Sequence, residues 1–175
     1  MPDASLKFLI DADHGQFYVQ DLESYDAWMA EHAMDPDLPP VGWTDEAVHI
    51  HRIGVEPHSI SVGTARDDMV ESLITVHTSA PMTEPTAEHI VEADLDAPTG
   101  QLAVSSPGVH PDDGPGMTVP GGLLRARVSY VPSEPLAVDT NGGPGEHFLY
   151  RIDLWPTDQA RGFVILKQGP NPWAG

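Results

Sequence analysis

WTDEAVHIHRIGVEPHSISVG, residues 43–63, is the stretch on which the fold turns. Ala47 to Ile53 and Ser59 to Gly63 alternate apolar and polar side chains, the two-residue period of a half-buried β-strand. Residues i and i+2 of a strand share a face, so a strand here sets His49 and His51 side by side, with Glu56 past a turn as an oxygen ligand. Such a set suits a divalent first-row metal. The competing reading takes the same stretch as the first core strand of a non-enzymatic β-sandwich, its histidines on the solvent face.

The flanking sequence favours strands. Upstream, KFLIDA (7–12) and QFYVQD (16–21) are apolar runs separated by Asp13-His14-Gly15, which is turn chemistry, so they form a hairpin or two consecutive strands. The period changes in LESYDAWMAEHA (22–33), where Leu22, Tyr25, Trp28 and Met29 recur at helical spacing and Ser24 is a candidate N-cap. The prolines of MDPDLPP (34–40) end that helix. Downstream, strands are expected at 70–78, 88–95, 101–105, 123–131, 147–155 and 162–167, with long Gly/Pro loops at 106–122 and 133–146. Leu124, Ala126, Val128 and Tyr130 share one face of their strand, and Arg125, Arg127 and Ser129 the outward one. The sum is an all-β, predominantly antiparallel sandwich of about nine strands with one short helix. A single domain spans 1–175, with residues 169–175 as a loose tail.

Composition narrows the function. The 27 acidic and 8 basic residues give a formal charge of −19, a field that repels phosphate backbones and anionic lipid and attracts a cationic partner. A solvated acidic surface of a salt-adapted proteome gives the same balance. No cysteine is present, which excludes disulfides, thiol catalysis and Cys-based metal sites. No apolar run approaches the roughly 18–20 residues of a membrane span, and a cytoplasmic protein is expected.

Few motifs carry chemistry. His49-x-His51-x4-Glu56-x6-Gly63 resembles the first motif of the cupin barrels, although Gly42 stands one residue too far upstream. The second motif, sought at Gly114, Pro120 and Gly122, puts Arg125 where the third histidine belongs and Ser129 where an asparagine belongs. An arginine brings positive charge and no lone pair to a metal. Asp112-Asp113-Gly114 resembles the start of a calcium loop without its later ligands. There is no P-loop, dinucleotide fingerprint or G-x-S-x-G elbow. Arg125, Arg127 and Arg151 form either a basic island for an anion or a row that neutralises nearby carboxylates.

Read in order, the chain resembles the competence protein J family, bacterial inhibitors of a DNA-entry nuclease. The resemblance rests on HGQF (14–17) with Asp21 after it, WTDEAV (43–48), HSISV (58–62), VPGGLLRARVSYVP (119–132) and YRIDLWP (150–156). It implies a small non-enzymatic inhibitor or immunity-type protein that covers a basic nuclease surface, binding neither nucleic acid nor membrane itself. Trp28 and Tyr25 are the candidate aromatic anchors, and Asp45, Glu46, Asp112 and Asp113 the candidate carboxylates. On this reading no cofactor is needed; the alternative keeps a divalent first-row metal on His49, His51 and Glu56.

Overall fold

The computed structural model describes residues 4–32, 37, 42–137 and 144–170. Most of the proline loop 34–40, the centre of the 133–146 loop and residues 171–175 of the expected tail lie outside the described residues. Strands β1 (Ala4–Asp11) and β2 (Gln16–Asp21) precede helix α1 (Leu22–His32). Then come β3 (Ile53–Glu56), β4 (Ser59–Gly63), β5 (Met69–Val76), β6 (His89–Ala97) and β7 (Gln101–Ser105). The last are β8 (Gly116–Thr118), β9 (Gly122–Pro132), β10 (Phe148–Pro156) and β11 (Val164–Lys167). They form a six-stranded sheet, β1-β5-β10-β9-β6-β11, and a five-stranded sheet, β3-β4-β2-β7-β8. All pairings are antiparallel except that of β5 with β10.

The strand alternation explains how the sheets meet. Ile74, Val91, Val128, Tyr150 and Ile152 of the larger sheet face Phe17, Val19, Ile60, Val62 and Val104 of the smaller in one buried apolar cluster. Each such side chain contributes about 1.5–3 kcal/mol by leaving water. Edge-to-face rings tighten the interior: Phe17 packs against Phe8 at 6.1 Å and Tyr150 at 6.0 Å, and Tyr130 meets Tyr150 at 5.1 Å.

Asp13-His14-Gly15 does not close a hairpin. β1 pairs with β5, and β2 with β4 and β7, so the turn is a corner that hands the chain from one sheet to the other. His14 and Gly15 both take left-handed backbone angles there, φ 59° and 67°, and Asp13 accepts a hydrogen bond from the His14 N–H at 3.0 Å.

The arginine face points away from the core, as expected, and the second of its two readings holds, a covered row that neutralises nearby carboxylates. Segment 77–88 and residues 157–163 supply the cover. Arg125 donates to Glu92 at 3.2 Å, Asp94 at 2.9 Å and the Gly162 carbonyl at 2.6 Å. Arg127 donates to Glu92 at 2.9 Å and the Pro81 carbonyl at 2.7 Å, with its guanidinium 5.0 Å from the Trp155 ring centre. Arg151 pairs with Asp153 at 3.0 Å and Glu84 at 3.3 Å. The cations are neutralised where they stand, and no exposed basic island remains.

Candidate protein-binding surface

The segment expected to be the first core strand is instead a helical turn. Thr44 caps it: its hydroxyl accepts from the Ala47 N–H at 3.0 Å, and its carbonyl from the Val48 N–H at 3.0 Å. Asp45 and Glu46 follow in the first turn, where carboxylates oppose the positive end of the backbone dipoles. Residues Ala47–His51 then wind as a single wide π turn, closed by the Arg52 N–H on the Ala47 carbonyl at 2.7 Å, with Arg52 left-handed at φ 61°. The strand begins only at Ile53. Thr-Asp-Glu before an apolar run is a helix start that the alternation of Val48 to His51 conceals.

This geometry separates the three histidine-motif residues. His49 is exposed, whereas the His51 ring stacks on Phe163, with centres 3.9 Å apart and planes 9° from parallel. Glu56 ends β3 and accepts a hydrogen bond from the Tyr25 hydroxyl at 3.4 Å. Burial raises the Glu56 carboxyl above the ordinary carboxylate range, and burial followed by the Glu56 charge raises the Tyr25 phenol. Among the described residues no three His, Asp or Glu side chains converge on a point where a metal could sit.

The candidate binding residues fall into two groups. Tyr25 and Trp28 lie on α1, which starts as β2 ends; their rings are 5.9 Å apart, and Trp28 stacks on His32 at 5.1 Å. Asp45, Glu46, Asp112 and Asp113 lie at the opposite end of the sandwich and are exposed. There the 106–115 loop rests on the corner turn: the Ser106 hydroxyl donates to the Asp11 carbonyl, and a Cβ on Gly108 would stand 3.1 Å from Asp11 Oδ2 and 3.2 Å from Asp13 Cβ. Glycine allows that approach.

Two clefts meet at His14 and Gly15 on this end. One, of about 220 Å³, is walled by Gln16, Trp43 and Val48; the other, of about 400 Å³, by residues 64–67 and Pro144. Trp43 donates its indole N–H to Gln16 at 2.7 Å, fixing the first wall. Arg66 fixes the second, with a two-pronged pair to Asp68 at 2.9 and 2.7 Å and a third bond to the Gly145 carbonyl at 2.9 Å. Asp67 lines the second cleft and Asp13 precedes His14 in the corner turn, while the four candidate carboxylates are exposed on the neighbouring 44–51 and 106–115 segments. His14, Asp13 and Asp67 were not selected from sequence as binding residues, because a turn motif accounts for the first two and nothing in the pattern brings residue 67 to them.

The fold is that of the competence protein J architecture, the one that the HGQF and WTDEAV segments suggest. ComJ from Bacillus subtilis, inhibitor of the DNA degrading activity of NucA, matches with a TM-score of 0.60 and 17% identity, over 90% of this chain and 98% of that one. The protein of crocagin biosynthetic gene J matches with a TM-score of 0.54 and 15% identity, over 89% and 99%. At these identities the likeness is one of fold. No curated protein sequence matches the chain. The family model described as sulfotransferase domain matches residues 18–122, 105 of the 175, and by that extent the chain belongs to that family. In the matched stretch the sequence holds no glycine-rich phosphate loop, and α1 follows β2 directly, from Asp21 to Leu22. Among the described residues, no helix is long and apolar enough to cross a membrane.

Proposed function

We infer that the chain is an acidic, non-enzymatic protein-binding module of the nuclease-inhibitor or immunity type. The supporting observation is the fold shared with a nuclease inhibitor over nine-tenths of the chain. The −19 charge supplies the physical rationale. A nuclease holds a polyanion in a basic cleft, so a protein of this charge is steered to it, with the exposed Asp45, Glu46, Asp67, Asp112 and Asp113 and the half-buried Asp13 as the carboxylates that would take the place of phosphates. The partner on this reading is a basic protein, and the module itself binds neither DNA nor membrane and works in the cytoplasm.

The test is direct. The purified protein is titrated into plasmid digestions by NucA and by any nuclease encoded beside its gene. Stoichiometric loss of cleavage is expected, and undisturbed digestion by every enzyme in the panel rejects the reading.

A further inference from the structure

We propose that the partner docks on the seam between the Thr44–His51 turn and β11, using an apolar centre of Ile50, Phe163, Ile165 and Leu166 with Asp45 and Glu46 on its rim. This rests on the nuclease-inhibitor reading and names the surface that carries it. Of the seven large apolar side chains exposed among the described residues, four are consecutive: Phe163 (40%), Val164 (39%), Ile165 (37%) and Leu166 (45%). A fifth, Ile50, is 42% exposed. The two segments touch: Phe163 stacks on His51, and the Gln168 side chain reaches the Ile50 carbonyl at 3.3 Å. Arg52 donates to the Gly169 carbonyl, and the Gly169 N–H to His89 at 3.3 Å, which holds the end of β11 against the turn.

A run of this kind costs solubility unless something covers it. β11 is also an edge strand, with its outer backbone groups unpaired by the sheet. It is blunted by its four-residue length, by Lys167 and by a register shift between Ile165 and Lys167. Apolar centre and charged rim are the arrangement of a protein interface.

Charge selects the occupant. Glu46 lies within electrostatic reach of the His51 ring that stacks on Phe163, and Asp45 precedes it on the same turn, so a basic protein complements this rim. A second copy does not: it too carries −19. The occupant is therefore a basic partner with an apolar projection bordered by lysine or arginine.

The experiment measures affinity for whichever nuclease of the panel the wild-type protein inhibits. Leu166→Ser and Ile50→Ser are compared with Asp45→Asn/Glu46→Gln, each first checked for unchanged thermal unfolding. The serine variants are expected to bind at least tenfold more weakly with the salt dependence unchanged, and the rim variant to associate more slowly with a shallower salt dependence. Two segments are probed so that a folding defect in one leaves the other decisive. Wild-type affinity in both serine variants overturns the docking surface while leaving the inhibitor reading intact; failure of the wild-type protein to bind any nuclease overturns both. A wild-type dimer that Leu166→Ser converts to monomer makes a second copy the occupant and also overturns the proposal.

Discussion

The hydroxyl of Tyr130, on the larger sheet, lies 2.8 Å from the carbonyl oxygen of Arg52 at the entrance to the smaller one, and 2.6 Å from that of Gly63. One phenol thus ties the two layers together beside the π turn, and its burial raises its pKa well above the ordinary tyrosine value. Tyr130→Phe keeps the ring contacts and removes only this tie. A loss of about 1–2 kcal/mol is expected in urea unfolding. An unchanged midpoint would show that the carbonyls find other donors.

His89 gives the fold a pH dependence. Burial lowers its pKa from 6.5 to about 4. Its Nδ1 accepts the Gly169 N–H, which leaves the Nε2–H to donate to the His51 carbonyl at 2.9 Å, so the neutral ring is the one that fits. The unfolded chain takes up a proton near 6.5 while the folded chain waits until about 4. Stability from this group is thus complete above 6.5 and falls as pH drops through the window between, by roughly 2 kcal/mol. Thermal scans at pH 7.5 and 4.5 should show a smaller difference for His89→Gln than for the wild-type protein.

Arg125 is the centre of the covered ion-pair row. Arg125→Ala strands Glu92 and Asp94 beneath the 157–163 segment, and a cost of roughly 3 kcal/mol is expected. Arg125→Met, which fills the space, combined with Glu92→Gln should recover part of it. Equal unfolding midpoints for the single and double variants would contradict the coupling.

Thr44→Ala removes the cap of the turn that carries Asp45 and Glu46. Stability should fall by about 1 kcal/mol, and amide exchange within 45–51 should speed up by more than that in the strands. Uniform acceleration throughout the sandwich would mean that the turn does not open by itself.

Sheet order was beyond the sequence, but strand faces were not. Val128 and Tyr130, or Ile152 and Leu154, show their inward side by alternation alone, because a two-residue period has only one alternative. The same rule misreads Ala47 to Arg52 in the expected strand 47–53, where local capping by Thr44 outweighs the alternation. The cover over Arg125 and Arg127 was hidden for a different reason. Alternation tells which side of a sheet a residue takes, and says nothing of what the chain later lays over that side. The carboxylates of the candidate surface were partly legible as exposed charges. The approach of Asp67 to His14 was not, since it depends on two separate connections between the sheets.

The parallel pairing of β5 with β10 has a consequence for how the molecule comes into being. The Ser72 hydroxyl bonds the Tyr150 carbonyl across 78 positions, and β10 sits between β5 and β9 in the middle of the larger sheet. On a ribosome, β1 and β5 can pair early, and so can β6 and β9, but these halves stay apart until residues 148–156 emerge to bridge them. Closing so distant a contact is slow. In the interval two open sheet margins face the surrounding proteins, and the dense negative charge of the chain keeps such nascent halves from sticking to one another.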